Sequence, residues 1–234
     1  KRFSPDDYLL CYESENSFSA TDCYVSDSWM GILSEGAGAR PTYEQQDVAV
    51  GRFPVTTADE AKILVDKTIN YMENENAGAW QNTLMFMGDD GNDNLHMRDE
   101  DEVANYISSL YPDFLVKKVM WDAYKLEASS TGNTYPDVTK AIKQQQAKGA
   151  LIMDYAGHGS ATQLSHERVL MMSDFSSFTN TNLPLWITAA CDIMPFDGVE
   201  DNIGEAALLN EKGGAVAFYG TTRTVYAYRN KYMN

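Results

Sequence analysis

Short apolar runs alternate with stretches of helical periodicity along most of the chain, and this alternation limits the fold more than any other feature. It is typical of strand-helix-strand units and predicts an α/β fold with a mostly parallel sheet. The predicted strands lie at residues 8–12, 48–50, 83–87, 115–120, 150–155, 185–189 and 215–219. The predicted helices lie at residues 57–74, 101–110, 135–147 and 203–210.

The chain length of 234 residues allows one sizeable core or two unequal lobes. Residues 14–46 are rich in Ser, Asp, Gly and Tyr, which predicts a long irregular connection, and the Asn/Glu-rich residues 72–80 indicate a boundary. We therefore predict a first, partial lobe at residues 1–79. A second lobe is predicted at residues 80–234 and is expected to be truncated at its C-terminus.

The charge balance excludes one class of partner. The chain carries 34 Asp and Glu against 18 Lys and Arg, a formal net charge of −16. A surface of this sign repels the phosphates of nucleic acids, so we predict no nucleic-acid partner. Nor does the fragment contain an apolar run long enough to predict a membrane span. The three cysteines have no spacing typical of a zinc site, and no metal site is predicted.

Two of the predicted strands end in residues that carry chemistry. His158 follows one strand and is flanked by Gly157 and Gly159, while Cys191 follows the next strand along the chain. Because the carboxyl ends of neighbouring parallel strands converge on one crevice, we predict that the two side chains form a nucleophile-base pair. Each residue alone has an ordinary structural reading, as a turn histidine or as a small buried cysteine.

The segments around these residues resemble a known family. Residues 155–160 read Tyr-Ala-Gly-His-Gly-Ser, residues 188–191 read Thr-Ala-Ala-Cys, and residues 47–55 contain Val-Gly-Arg-Phe-Pro. Together they resemble peptidase family C25, the gingipains, within the caspase-like clan of cysteine peptidases. The resemblance implies a caspase-like αβα sandwich in two lobes and a cysteine peptidase activity.

Two further segments depart from the gingipains. Residues 191–197 and 221–226 are similar to the PorU-like sortase of the type IX secretion system. That similarity implies cleavage of the C-terminal signal domain of secreted cargo and transfer of the new carboxyl end to a surface glycolipid. It further implies export to the outer membrane or surface of a Gram-negative cell, with the cargo and other secretion-system components as partners.

The resemblance assigns roles to individual residues. Cys191 is implied to be the nucleophile and His158 its acid/base partner. The backbone N–H groups of Gly159 and Cys191 are implied to hold the oxyanion. Asp89 occupies the place of an acidic residue that orients the histidine, although residues 88–91 also read as a simple turn.

The substrate pocket and the cofactors are predicted from the same comparison. Ala156 and Ala189 are small and are expected to line the pocket for the residue before the cut, with Trp186 and Phe196 as apolar walls; either aromatic residue also suits the core. His96 and His166 are expected at the surface or in loops. No cofactor is predicted to be required, but calcium is possible, with candidate ligands Asp22, Asp27, Asp93 and Asp197.

Two other functions remain open from the sequence. The first is a non-catalytic caspase-like surface module that binds a protein partner, because a fold alone does not establish catalysis. The second is a nucleotide-binding doubly wound domain, for which residues 36–39 are the nearest glycine-rich candidate. That candidate lacks the helix that should follow a phosphate-binding loop.

Overall fold

The structure is a computed structural model that describes residues 11–16, 19–21, 23–130 and 132–234. Its strands are β1 (Tyr12–Glu13), β2 (Val25–Ser26), β3 (Thr83–Gly88), β4 (Leu115–Met120), β5 (Glu127–Ser129), β6 (Gly132–Thr134), β7 (Ile152–Ala156), β8 (Gly159–Ser160), β9 (Gln163–Leu164), β10 (Leu170–Met171), β11 (Leu185–Ala189) and β12 (Ala217–Gly220). Its α-helices are α1 (Ala58–Glu73), α2 (Gly91–Leu110), α3 (Pro136–Lys148), α4 (Met172–Ser177) and α5 (Ile203–Leu209).

The central sheet is parallel, and its five strands lie in the order β12-β11-β7-β3-β4. Side chains alternate between its two faces, as they do in any strand. Met85, Met87 and Met153 pack in a core that also contains Ile142 from α3 and Phe175 from α4. The intervening residues of β3 pack against Ala104 of α2, on the opposite face. The predicted α/β sandwich with a mostly parallel sheet is therefore confirmed.

The first helix, α1, begins within one residue of its predicted start at residue 57. Thr57 accepts a hydrogen bond from the Glu60 backbone N–H at 3.2 Å, and the Glu60 carboxylate accepts one from the Thr57 N–H at 3.0 Å. This reciprocal cap pairs backbone N–H groups that have no partner within the helix. Lys67, on the buried side of α1, donates to the Leu208 and Gly213 carbonyls at 2.7 and 2.8 Å and so ties the helix to the end of α5.

Two predicted elements differ from the structure. Residues 48–50 form no strand: Val48 is about half exposed, and its N–H bonds the Gly31 carbonyl within a loop. The apolar triplet therefore has no sheet to join. Helix α2 begins at Gly91 rather than residue 101. Residues 92–94 form a left-handed turn, and its regular part starts after them, still before the predicted start. Part of the predicted strand at residues 8–12 lies outside the described residues, and the division into two lobes remains a prediction.

Within the described ranges, no helix combines the length and apolar character needed to cross a membrane.

Candidate active site

His158 and Cys191 follow two strands that lie side by side. In the parallel pair β7 and β11, Ala156 stands opposite Ala189, and the Gly157 N–H continues the ladder to the Ala189 carbonyl at 3.2 Å. His158 and Cys191 each come two residues after this matched pair. Neighbouring strands are about 4.8 Å apart, so the two residues leave the sheet at the same edge and level. The predicted juxtaposition of the two strand ends is confirmed.

Asp89 holds the backbone at His158. Its carboxylate is buried and accepts hydrogen bonds from the His158 N–H at 2.6 Å, the Tyr155 hydroxyl at 3.2 Å and the Gly91 N–H at 3.1 Å. Burial, and then the charge of Asp89, raises the pKa of Tyr155, so this hydroxyl stays protonated as a donor. Asp89 therefore contacts the histidine through its main chain, and its role in orienting the imidazole stays a prediction.

Asn92 contacts the ring itself. Its side-chain oxygen lies 2.9 Å from His158 Nε2. Since an amide oxygen only accepts hydrogen bonds, this assignment puts the proton on Nε2 and leaves Nδ1 able to accept one. Asn92 has a φ of 53°, a left-handed conformation that Asn tolerates better than most residues. A Cβ on the preceding Gly91 would lie 2.5 Å from His158 Cδ2, so only glycine leaves room for the imidazole there.

The other two histidines also pack around His158. His96 is only 1% exposed and meets the His158 ring edge-on, so the prediction of a surface or loop position is wrong for this residue. Desolvation lowers the pKa of His96, which keeps the buried ring neutral near pH 7. His166 is exposed, as predicted, but its ring stacks on that of His158. The spacing of the three histidines along the sequence predicts neither contact. The sequence contains no other signal for this cluster than that histidine occurs only three times.

The nucleophile candidate contacts a different segment. The half-buried Cys191 thiol donates to the Val225 carbonyl at 3.4 Å and accepts from the Val225 N–H at 3.5 Å. The next residue, Asp192, has a φ of 51°, and its N–H bonds the Arg223 carbonyl at 3.2 Å. The thiol is thus held by weak sulfur hydrogen bonds to the main chain of residues beyond β12.

The predicted pocket alanines are covered in this structure. Ala156 and Ala189 are both completely buried. Asn230, which lies in the 3₁₀-helix Ala227–Tyr232, donates to the Ala189 carbonyl at 2.7 Å. A substrate side chain that used these alanines as a pocket floor would therefore have to share space with this C-terminal segment.

The two predicted aromatic walls lie elsewhere. Trp186 is completely buried, its indole N–H donates to Gln146 at 3.0 Å, and its ring packs against Phe175. Because it points to the face opposite Ala189, Trp186 is a core residue and does not line a pocket. Phe196 is half-buried beneath the Arg52 guanidinium, 4.7 Å from the ring centroid.

Two buried carboxyl groups lie beneath the histidine side of the site. Glu100 of α2 is fully buried and Asp154 of β7 is 2% exposed. Desolvation raises the pKa of Asp154 to about 7, and desolvation followed by the charge of Asp154 raises that of Glu100 well above its usual range. Both groups favour the protonated form because their surroundings do not solvate charge.

The possible calcium ligands do not converge. Asp27 pairs with Arg52 at 2.5 Å, Asp197 pairs with Arg223 at 2.6 Å, and Asp22 lies outside the described residues. No three His, Cys, Asp or Glu side chains of the described chain are grouped closely enough to hold a metal ion. Asp93, the remaining candidate, is exposed in the left-handed turn. The calcium prediction is untested.

Comparison with known proteins agrees with this geometry. The sequence model of peptidase family C25 matches residues 3–234. The chain resembles the crystal structure of the Arg-specific cysteine proteinase gingipain R (RgpB), with a TM-score of 0.65 and 20% identity over 87% of this chain and 45% of that one. It also resembles the complex of Porphyromonas gingivalis RgpB pro- and mature domains, with a TM-score of 0.60 and 20% identity over 86% and 48%.

A third structure, named only as a protease, gives a TM-score of 0.68 and 18% identity over 89% of this chain and 42% of that one. No curated protein matches the chain. The chain therefore spans less than half the length of the solved structures that it resembles. At these identities the structures show a shared fold.

Proposed function

Because the chain belongs to peptidase family C25, we propose that the whole protein is a cysteine endopeptidase or transpeptidase that acts through Cys191 and His158. The observation that carries this proposal is the register of β7 and β11, which brings both residues two positions beyond the same matched pair of alanines. Acyl transfer through a cysteine needs a base that can reach the thiol, and this register brings both strand ends to the same edge of the sheet.

The proposed reaction has two halves. The Cys191 thiolate attacks the scissile carbonyl after His158 accepts the thiol proton, and the His158 imidazolium then protonates the leaving amine as the C–N bond breaks. The resulting thioester is attacked by water or by an amine. The N–H groups of Gly159 and Cys191 are proposed to hold the oxyanion. In this scheme the thiol exchanges its contact with Val225 for one with the imidazole.

The finer proposal concerns the substrate. We propose that the peptide bond precedes the C-terminal signal domain of a type IX secreted protein, and that the enzyme works at the outer surface of a Gram-negative cell. Support comes from residues 191–197 and 221–226, whose sequences resemble the sortase branch. In the structure these segments form one unit: the Met194 N–H bonds the Thr221 carbonyl at 2.8 Å, and Arg223 forms two hydrogen bonds to Asp197.

The test is covalent labelling of the full-length protein by a peptidyl acyloxymethyl ketone, a thiol-directed electrophile, with the modified residue located by mass spectrometry. We expect label on Cys191, and we expect Cys191→Ala to lose both the label and cargo cleavage while remaining folded. Cys11→Ala is the matched control and should retain both. The mass of the cargo product distinguishes addition of water from addition of an amine.

The competing proposal, a binding module without catalysis, predicts the opposite result. Cargo processing that persists in a folded Cys191→Ala protein would contradict the proposal that the protein is a cysteine enzyme. Cell fractionation tests the location: full-length protein found only in the cytosol contradicts export.

A further inference from the structure

His166 lies directly over the imidazole of His158. The two ring centroids are 4.3 Å apart and the ring planes differ by only 17°, which is a stacked arrangement. His96 meets the same ring from another side, with centroids 5.5 Å apart and planes at 83°. The chain has three histidines in 234 residues, and all three meet at this point.

The turn that carries His166 is anchored to His158. The Ser165 N–H donates to the His158 carbonyl at 2.8 Å, and the buried Ser165 hydroxyl accepts from the Trp121 indole N–H at 3.3 Å and from the Glu167 N–H at 3.2 Å. Ser165 and Arg168 both have left-handed φ values, of 66° and 54°. The backbone on both sides of His166 is therefore fixed, although its side chain is exposed.

A stacked ring adds a parallel, face-to-face contact to His158, which neither the His96 ring, at 83° to it, nor the hydrogen bond to Asn92 supplies. Asp89 fixes the main chain of His158, and Asn92 makes one hydrogen bond to its Nε2. The imidazole can still rotate about that hydrogen bond. The terminal torsion of a histidine is broad, so one hydrogen bond does not define the ring plane. A second flat ring pressed against its face resists that rotation. Proton transfer from a thiol depends strongly on this orientation.

We propose that His166 is a positioning residue for His158, holding the plane of the imidazole in the orientation from which it accepts the Cys191 thiol proton. This inference rests on the proposed function. His166 transfers no proton in this role. Its ring acts through van der Waals contact with the face of the His158 imidazole.

The test compares three substitutions at this exposed position in the full-length protein. His166→Ala removes the ring, His166→Gln is a matched control that keeps polarity without a ring, and His166→Phe keeps a flat ring that does not titrate. The readout is inactivation by the peptidyl acyloxymethyl ketone, separated into the maximal rate and the half-saturating concentration.

We expect His166→Ala and His166→Gln to lower the maximal rate about 2- to 10-fold, the range that corresponds to a stacked aromatic pair. The half-saturating concentration should change less than about twofold, because the proposal assigns His166 no contact with the inhibitor. His166→Phe should restore the maximal rate to near that of the unmodified protein. An unchanged rate in His166→Ala, or a His166→Phe rate no better than that of His166→Gln, overturns the proposal.

The two proposals fail in different ways. Labelling or processing that persists in Cys191→Ala removes the proposed function itself. Labelling that depends on Cys191 but is indifferent to all three His166 variants removes only the positioning role. Equal midpoints of thermal unfolding among the variants show that the rates do not reflect a loss of fold.

Discussion

The two strand ends that form the site are held very differently. At the end of β7, a buried carboxylate fixes the His158 backbone, and an amide oxygen and two other rings surround its imidazole. At the end of β11, the Cys191 side chain contacts only the Val225 backbone among the hydrogen-bonding groups of the described chain. The imidazole of His158, the proposed base, is therefore held by several contacts, while the Cys191 thiol is held by weak hydrogen bonds alone.

This difference has a physical rationale. A general base must present one nitrogen in one direction, and its orientation is set before substrate arrives. The nucleophile must move from a thiol to a bond with a carbonyl carbon, so tight hydrogen bonds to its ground state would oppose the reaction. The four predictions below test whether the histidine end is the rigid one, beginning with the largest expected effect.

Replacing His158 by Ala should have the largest effect. We expect the maximal rate of Cys191 labelling to fall about 10²- to 10⁴-fold, as is usual when acid-base catalysis is lost. The half-buried imidazole makes no hydrogen bond to the core, so the circular dichroism spectrum should not change. A fall in the labelling rate of less than tenfold would show that His158 has a structural role and not a catalytic one.

Replacing Asp89 by Ala should destabilise the fold. The His158 and Gly91 N–H groups, both part-buried, would lose their acceptor, at up to about 1–3 kcal/mol for each donor left without a partner. The free energy of unfolding in urea measures this loss. Asp90→Ala is the neighbouring control. Within the described part of the chain Asp90 accepts one side-chain hydrogen bond, from Tyr135 at 2.7 Å, and its removal should cost about 1 kcal/mol. Equal losses in the two variants would contradict the anchoring role of Asp89.

The buried carboxyls should make stability depend on pH at the histidine end. Asp154 and Glu100 have raised pKa values, so between about pH 4 and 7 the folded chain holds protons that the unfolded chain has released. The free energy of unfolding should therefore be greatest at the acidic end of this range and fall as pH rises. Glu100→Gln should reduce that slope, by at most about 1.4 kcal/mol per pH unit for one proton.

The slope is measured by urea unfolding between pH 5 and 7.5. The upper limit of this pH range avoids the titration of Lys67. Desolvation lowers the pKa of Lys67 to about 8, and above that pH its deprotonation makes the free energy of unfolding rise with pH, opposite to the effect of the carboxyl groups. A Glu100→Gln protein with an unchanged slope would show that Glu100 does not titrate differently in the folded and unfolded states.

The smallest effect is expected at the cysteine end. The Thr224 hydroxyl donates to Asp192, next to the proposed nucleophile Cys191, at 2.8 Å. Thr224→Val removes this half-buried bond and should cost about 1 kcal/mol or less, with the labelling rate changed less than twofold. A rate loss greater than tenfold would mean that the cysteine end is as precisely held as the histidine end.

Much of the fold follows from local sequence patterns. The strands at residues 115–120 and 185–189 have the predicted bounds, and α1 at Ala58–Glu73 lies within one residue of its predicted range at both ends. The apolar run at residues 185–189 becomes a strand because it lies in the sheet between two other strands, whereas the shorter run at residues 48–50 has no neighbouring strand and forms none. The short elements that follow β7, including β8 to β10 and α4, carry too few residues to produce a periodic signal, and the sequence did not predict them.

For the site, the sequence determined which residues end the two strands, because a parallel sheet brings its carboxyl ends to one edge whatever the remaining contacts are. The tertiary structure decided everything that surrounds them. Asn92 and Val225 lie 66 and 34 residues from the side chains they contact. The stacking of His166 and the burial of Trp186 likewise depend on how separate elements pack. Such contacts follow from three-dimensional packing, which no periodicity along the chain records.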